Sequence, residues 1–397
     1  MKAKIILLSK VLSFSFLLLT VNVNAQWQQT SLTNTYQVTA IAILGSNTFV
    51  GTEGNGVFLS QDSGTTWNAT NNGLTNEYVT SLAVSGSNIF AGTIEGGVFF
   101  SANNGGSWTK VNTGMTDTTI VALVANSSGI FAGTNGGGIF FTSNNGGNWN
   151  KVNTGLPGMD VTALAASGNN VFAGINGSGE YLTSNNGSNW SAVNTGLLNN
   201  DVLSIAISGS NIFTGTGNGV YYSSNNGSNW AAVVTGLNNT HINAMAAGGN
   251  NAFAGSNGGG IFWSSNNGTS WAALNWGLTQ PIIMSLAANS NYLFAGTSLG
   301  GLWRLPLSEV GIKEINGDNS NIKVYPNPAN NYLTIEVNNT KISVIESRIY
   351  DMVGNLILEK ILANNKTDVD VSLLPSGVYI LEVKIEGFVS TKKFVKE

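Results

Sequence analysis

Asp160, Asp201 and His241 recur at intervals of 41 and 40 residues, each one place ahead of an aliphatic residue, Val161, Val202 or Ile242. Two carboxylates and an imidazole are groups from which an acid/base pair or a metal site can be built. Glu53 and Glu95 form a second spaced pair, in turns rich in Gly and Asn. No metal-ligand spacing surrounds His241, and no metal or cofactor is expected. Whether these groups act together depends on the elements that present them.

The same period runs through the tryptophans. Trp67, Trp108, Trp149, Trp190, Trp230 and Trp271 are separated by 41, 41, 41, 40 and 41 residues. A fixed period of this length marks an array of one supersecondary unit. Within a unit, runs such as Val161–Ser167, Asn169–Gly174, Gly179–Ser184 and Asn189–Asn194 are short, rich in apolar or small residues and bounded by Gly, Asn or Ser. That pattern predicts four strands joined by tight turns, the length of one β-propeller blade. A phenylalanine of the second strand recurs seven times, at Phe49, Phe90, Phe131, Phe172, Phe213, Phe253 and Phe294. The seventh unit lacks a Trp phrase of its own. Trp27 lies 11 residues before Val38, whereas the other tryptophans lie 12 before their aliphatic residue. The expectation is an all-β, seven-bladed propeller over 26–312 in which the N-terminal strand completes the last blade. Closure removes exposed sheet edges. The repeated Phe and Trp side chains then pack between blades, each burying roughly 150–250 Å².

In such a ring the loops from strand four to one and from strand two to three share a face. The first class presents Gln37, Tyr78, Thr119, Asp160, Asp201, His241 and Ile282, and the second presents Glu53 and Glu95. Tyr78, Asp160, Asp201, His241, Glu53 and Glu95 are therefore the ligand-face candidates. No blade departs from its siblings by an insertion, the usual mark of a catalytic blade.

Composition fixes the compartment and excludes some partners. Lys2, Lys4 and Lys10 lead into the apolar run Val11–Val21 and then Val23-Asn24-Ala25, which predicts a signal peptide over 1–25. The chain contains no cysteine, so no disulfide framework exists. Net charge is −4 without a basic block, so a nucleic-acid partner is not expected. Residues 26–312 hold three basic residues and nine acids, whereas 313–397 hold ten and eleven. The shift marks a linker at 313–321 and a second domain at 322–397. That segment alternates apolar and polar residues in six or seven short runs, which predicts a small Ig-like β-sandwich.

The phrase Ser60, Asp62, Gly64, Thr66 and Trp67 resembles the Asp-box of sialidases, xyloglucanases, sortilin-type receptors and a photosystem assembly factor. In those families the motif is a structural hairpin between strands three and four, on the rim away from the ligand. Its tryptophans here are Trp67, Trp108, Trp149, Trp190, Trp230 and Trp271. The acid position is taken by Asn104, Asn145, Asn186, Asn226 and Asn267. A sialidase would need an arginine triad, and the repeat region has only Arg304.

The last 76 residues resemble the type A C-terminal sorting domain of the type IX secretion system. The resemblance rests on Tyr325-Pro326-Asn327-Pro328, on Tyr350-Asp-Met-Val-Gly354, and on Pro375-Ser-Gly377-Val-Tyr379. It implies a Gram-negative source, handling by the secretion machinery, and a mature protein secreted or held on the outer surface. Together these features predict a non-catalytic surface or secreted propeller that binds a glycan or a protein. The alternative is a glycoside hydrolase of unusual pattern built on Asp160, Asp201 and His241.

Overall fold

The computed structural model describes residues 27–32, 36–248, 251–310, 322–337, 345–351, 356–362, 364–385 and 388–397. The expected signal peptide, the linker at 313–321 and Gly354 lie outside the described residues. The chain divides into two compact units at 309/310. Among the described residues no helix is long and apolar enough to cross a membrane.

Among the described residues, the first unit contains seven four-stranded antiparallel sheets. Blade 1 comprises Val38–Leu44, Asn47–Thr52, Gly56–Ser60 and Asn68–Ala69. Blades 2 to 6 repeat it, their first strands being Val79–Ser85, Ile120–Asn126, Val161–Ser167, Val202–Ser208 and Ile242–Gly248. Blade 7 takes Ile283–Ala288, Tyr292–Thr297 and Leu302–Pro306 from the end of the unit. Its fourth strand is Gln28–Gln29, paired to Arg304 and Trp303. First strands of successive blades pack side by side, and that of blade 7 returns to that of blade 1. The ring is closed by a strand from the opposite end of the unit.

Second strands are buried almost throughout, which explains their Phe-Ala-Gly-Thr signature. The Phe side chain fills the seam with the next blade. Phe131, for example, meets Trp190 edge-on with centroids 6.5 Å apart. The Gly admits the aliphatic residue that opens that blade's first strand. A Cβ on Gly51 would strike Val79, one on Gly133 would strike Val161, and one on Gly296 would strike Val38 across the closure. Close packing of this kind leaves no room for a methyl group.

Each seam is also latched by backbone. The amides of Trp108, Trp149, Trp190, Trp230 and Trp271 donate to the carbonyls of Asn72, Thr113, Thr154, Thr195 and Thr235 in the preceding blade's exit loop. Their indoles donate to Thr70, Val111, Val152, Val193 and Val233. Trp27 does the same to Trp276 and Leu274. Trp67 departs, because its indole turns back to the Gly64 carbonyl at 3.3 Å.

The turn between strands three and four corrects the sequence alignment by one residue. Asp62 Oδ1 accepts from the Thr65 and Thr66 amides and from the Ser60 hydroxyl. The residues that take this place elsewhere are Asn103, Asn144, Asn185, Asn225 and Asn266, whose Oδ1 atoms accept from the amide four residues on. Asn104, Asn145, Asn186, Asn226 and Asn267 match Ser63 instead. All six adopt left-handed backbone, with φ between 54° and 57°, a conformation that Asn tolerates well. The Gly after each, Gly64 in blade 1, also has positive φ and donates its amide to the hydroxyl that opens the turn, here Ser60.

Among its described residues, the second unit contains seven strands in two sheets. Ile322–Tyr325, Tyr332–Val337 and Lys366–Asp370 form one, and Leu356–Leu362, Ile345–Tyr350, Gly377–Ile385 and Phe388–Lys396 form the other. Leu333, Ile335, Ile349, Leu381 and Phe394 build its core.

Candidate functional site on the loop face

Seven residues that precede the first strands occupy one repeated backbone position. The carbonyls of Gln37, Tyr78, Thr119, Asp160, Asp201, His241 and Ile282 accept from the amides of Glu53, Ile94, Asn135, Asn176, Gly217, Asn257 and Ser298. Those donors stand just beyond the second strands, so the two loop classes meet on one face. A short side-chain turn fixes four of the seven from behind. The amides of Tyr78, Thr119, Asp201 and His241 donate to Asn76, Asp117, Asn199 and Asn239 at 2.8–3.0 Å. Asx turns of this kind set local backbone without a regular element.

Six kinds of side chain occupy the seven equivalent positions, Asp alone occurring twice. Tyr78 is 53% exposed. Asp160, Asp201, His241, Glu53 and Glu95 are all exposed, and Glu95 adopts positive φ of 61°. Asp160, Asp201 and His241 therefore stand at the same place on three consecutive blades. Glu53 meets Tyr78 across an isolated bridge between blades 1 and 2. Gly136 lies beside both Asp117 and Asp160, whose carboxylate oxygens are 3.8 and 3.9 Å from where its Cβ would stand. Among the described residues no three acidic or histidine side chains converge as metal donors.

Charge on this face has one sign. Glu53, Glu77, Glu95, Asp117, Asp160 and Asp201 lie in its loops, and Lys110, Lys151 and Arg304 lie on strands. On the opposite rim Asp62 is held ionised. Hydrogen bonds from Thr66, first its hydroxyl and then its amide, lower its carboxyl to about 2. That acid belongs to a turn and serves the fold.

Two structural devices were not anticipated from sequence. Asn71 Oδ1 accepts the Val57 amide at 2.8 Å while its Nδ2 donates to the Asn55 carbonyl at 3.0 Å. Asn112, Asn153, Asn194 and Asn275 repeat this staple between the third strand and the exit loop. Their spacing was visible in the sequence, four residues after Trp67, Trp108, Trp149, Trp190 and Trp271, with Val234 in that place after Trp230. The second device is Glu180, which is completely buried. Burial pushes its carboxyl up to about 8, against the lowering effect of a bond from Thr214. The signal for it was a lone acid where other copies carry Val, Ile or Leu.

In the second unit the motif residues hold the sandwich together. Tyr325 donates to Glu336 at 2.6 Å, and Asn327 accepts the Val395 amide at 2.8 Å. Pro326 and Pro328 flank Asn327 in the turn that follows the first strand. Tyr379, two places after Gly377, stacks on Phe394 and donates to the Pro375 carbonyl at 2.8 Å. Arg348 pairs with Glu359 at 2.7 Å and lies within 3.6 Å of Glu382.

Comparison with known proteins agrees with both halves. Residues 24–171 match the DUF6242 beta propeller domain, and 323–397 match a secretion system C-terminal sorting domain. No curated protein matches the chain. Among solved structures, YCF48 from Cyanidioschyzon merolae superposes with a TM-score of 0.59 at 15% identity, over 72% of this chain and 100% of that one. YCF48 bound to D1 peptide gives 0.60 at 15%, over 72% and 97%. PorZ, a bacterial surface component of the type-IX secretion system of Porphyromonas gingivalis, gives 0.56 at 16%, over 91% and 59%. The extracellular domain of the putative hybrid two component system BT3049 from B. thetaiotaomicron gives 0.61 at 15%, over 94% and 57%. The chain thus spans less than two thirds of the last two, and likeness at these identities concerns the fold. Residues 323–397 thus match a secretion system C-terminal sorting domain, and the described residues of the first unit fold as a β-propeller.

Proposed function

We propose that the chain is exported, delivered by the type IX secretion system to the surface or surroundings of a Gram-negative bacterium, and there binds a glycan or a protein through its loop face without catalysis. The observation that carries the binding reading is the contrast between backbone and side chain. One hydrogen bond fixes seven equivalent positions, from Gln37 to Ile282, and six kinds of side chain stand on them, Asp alone occurring twice. A rigid frame with freely varied side chains suits recognition. Catalysis asks for convergent groups supported by a second layer of contacts. Six carboxylates in loops without Lys or Arg disfavour an anionic sugar and favour a neutral glycan or a protein with basic surface. YCF48 has been solved with a peptide bound, which lends weight to the protein arm.

Two experiments test the two halves. Ending the chain at residue 321 should leave the propeller in the periplasm of a type IX-competent host, and its arrival outside the cell would defeat the delivery reading. A combined Asp160→Ala, Asp201→Ala and His241→Ala variant should keep the wild-type unfolding midpoint. On glycan arrays and in pull-downs from outer-membrane fractions its binding should fall at least about tenfold, the equivalent of about 1.4 kcal/mol. Unchanged binding would move the site elsewhere. Polysaccharide turnover abolished by Asp160→Ala alone would replace the binder by a hydrolase.

A further inference from the structure

Glu180 lies in the third strand of blade 4, Gly179–Thr183, directly after its first residue. The aligned residues of the other blades are Val57, Val98, Ile139, Val220, Ile261 and Leu302, every one a fully buried aliphatic. These side chains pack on the second strand of the following blade. Val57 shares a cluster with Ala91, Val98 with Ala132, Ile139 with Ala173, Val220 with Ala254, and Leu302 with Val50. Opposite Glu180 the corresponding residue is Thr214, whose Oγ1 donates to Glu180 Oε2 at 2.7 Å. Both members of one contact thus depart from the repeat together, at a single seam. Glu180 Oε1 meets no hydrogen-bond partner among the described residues.

The groups around Glu180 offer it no counter-charge. Blade 4 contributes Gly174, paired across the sheet, and Asn194, whose Oδ1 accepts the Glu180 amide. Blade 5 contributes Thr214 and, paired beside it, the buried phenol of Tyr221. Asp160 and Asp201 stand exposed on the loop face, and no charged neighbour contributes to the displacement of the Glu180 carboxyl. An ionised carboxylate with one donor in such a seam is costly, whereas the neutral acid is tolerated.

We propose that Glu180 makes the joint between blades 4 and 5 proton-dependent: closed while the carboxyl is neutral, loosened when it ionises. The loosening reaches the loop face through two short links. The amide of Gly179 donates to the Asn200 carbonyl at 3.1 Å, and that of Val193 donates to the Glu180 carbonyl at 3.0 Å. Asn200 immediately precedes Asp201, so the loop that carries Asp201 is tied to the residue beside Glu180. With the carboxyl pushed up to about 8 by burial, the joint is closed at neutral pH and opens in mildly alkaline medium. The sign follows from linkage. The unfolded acid ionises near 4.5 and the folded one near 8, so stability falls as pH rises across that window.

The test is amide hydrogen exchange on the full chain at pH 7 and pH 9.5, corrected for the intrinsic base-catalysed rate. Segments 176–202 and 211–217 report this seam, and 53–79 and 88–94 report the aligned seam between blades 1 and 2. At the higher pH the first pair should exchange about tenfold faster relative to the second, a factor equivalent to about 1.4 kcal/mol. Glu180→Val, which installs the residue of blade 5, and Glu180→Gln should both abolish the difference. Thr214→Ala removes the donor that favours the charged form and should move the onset to higher pH, a shift that a merely structural role would not produce. Equal corrected exchange in both seams at both pH values would overturn the proposal. So would alkaline loosening that survives in Glu180→Gln.

Discussion

Arg304 Nη1 donates to the carbonyl of Ser63 at 2.6 Å and to the Thr65 hydroxyl at 3.1 Å, joining blade 7 to the turn of blade 1 across 241 residues of sequence. Its guanidinium also lies 5.1 Å from the Tyr292 ring centroid. The aligned residues elsewhere are Leu59, Phe100, Phe141, Leu182, Tyr222 and Trp263. The exit segment of blade 7 begins at Trp27, which lies 11 residues before the next blade's first strand, one fewer than in the other blades. Trp67 donates its indole to Gly64 and not to the preceding blade as its six counterparts do. Arg304 replaces that latch with a charged fork. Arg304→Met should keep the apolar stem and lose these bonds. The expected loss is about 1 kcal/mol, since the group is half-exposed, read as a lower denaturant midpoint with unchanged slope.

Trp27 closes the ring from the other side of the same blade. It is 2% exposed, and its amide and indole hold Trp276 and Leu274 at 3.0 and 2.7 Å. Trp27→Ala should lower stability by about 3–5 kcal/mol. It should also unpair Gln28–Gln29 from Leu302–Pro306, so hydrogen exchange will rise first in blade 7. A uniform rise around the ring would contradict a local clasp.

Asp62 sets an acid limit on one turn. Its folded pKa of about 2 lies below the ordinary 3.8, so its contribution is fully present above about pH 4 and is lost as pH falls through 2. Asp62→Asn installs what the other five turns carry. The variant should fold normally at pH 7, and the difference between its unfolding midpoint and that of wild type should shrink between pH 4 and pH 2.

Gly133 receives the side chain of Val161 from the next blade. Gly133→Ala should overpack that seam and cost about 1–3 kcal/mol. Pairing it with Val161→Ala should restore part of the loss, measured by a double-mutant cycle in chemical unfolding.

Asn327 ties the proline turn of the second unit to its last strand through the Val395 amide. Asn327→Ala should weaken that unit by about 1 kcal/mol, with faster exchange confined to 388–397. Propeller segments should remain at wild-type rates.

The period of the repeat, the four strands of each unit, the strand borrowed from the N-terminus and the two-part chain were legible because each rests on local pattern. Strand alternation, turn residues and a counted tryptophan need no knowledge of partners far away. The ring from Gln37 to Ile282 was legible for the same reason, since equivalent positions in a repeat acquire equivalent backbone. The Asn pair in each turn was misaligned by one residue. Asn103 and Asn104 are identical in sequence, and only the backbone decides which accepts the Ser107 amide and which turns left-handed. The repeated Phe and Trp contacts across seams were legible, but the contacts that break the repeat were not. Periodicity aligns Glu180 with Thr214, but it says nothing of the hydrogen bond their chemistry makes, nor of the one from Arg304 to Ser63. Sequence determined the repeating unit. Tertiary structure decided which chemical groups meet between copies, because a seam is a packing of two surfaces and its energetics depend on both.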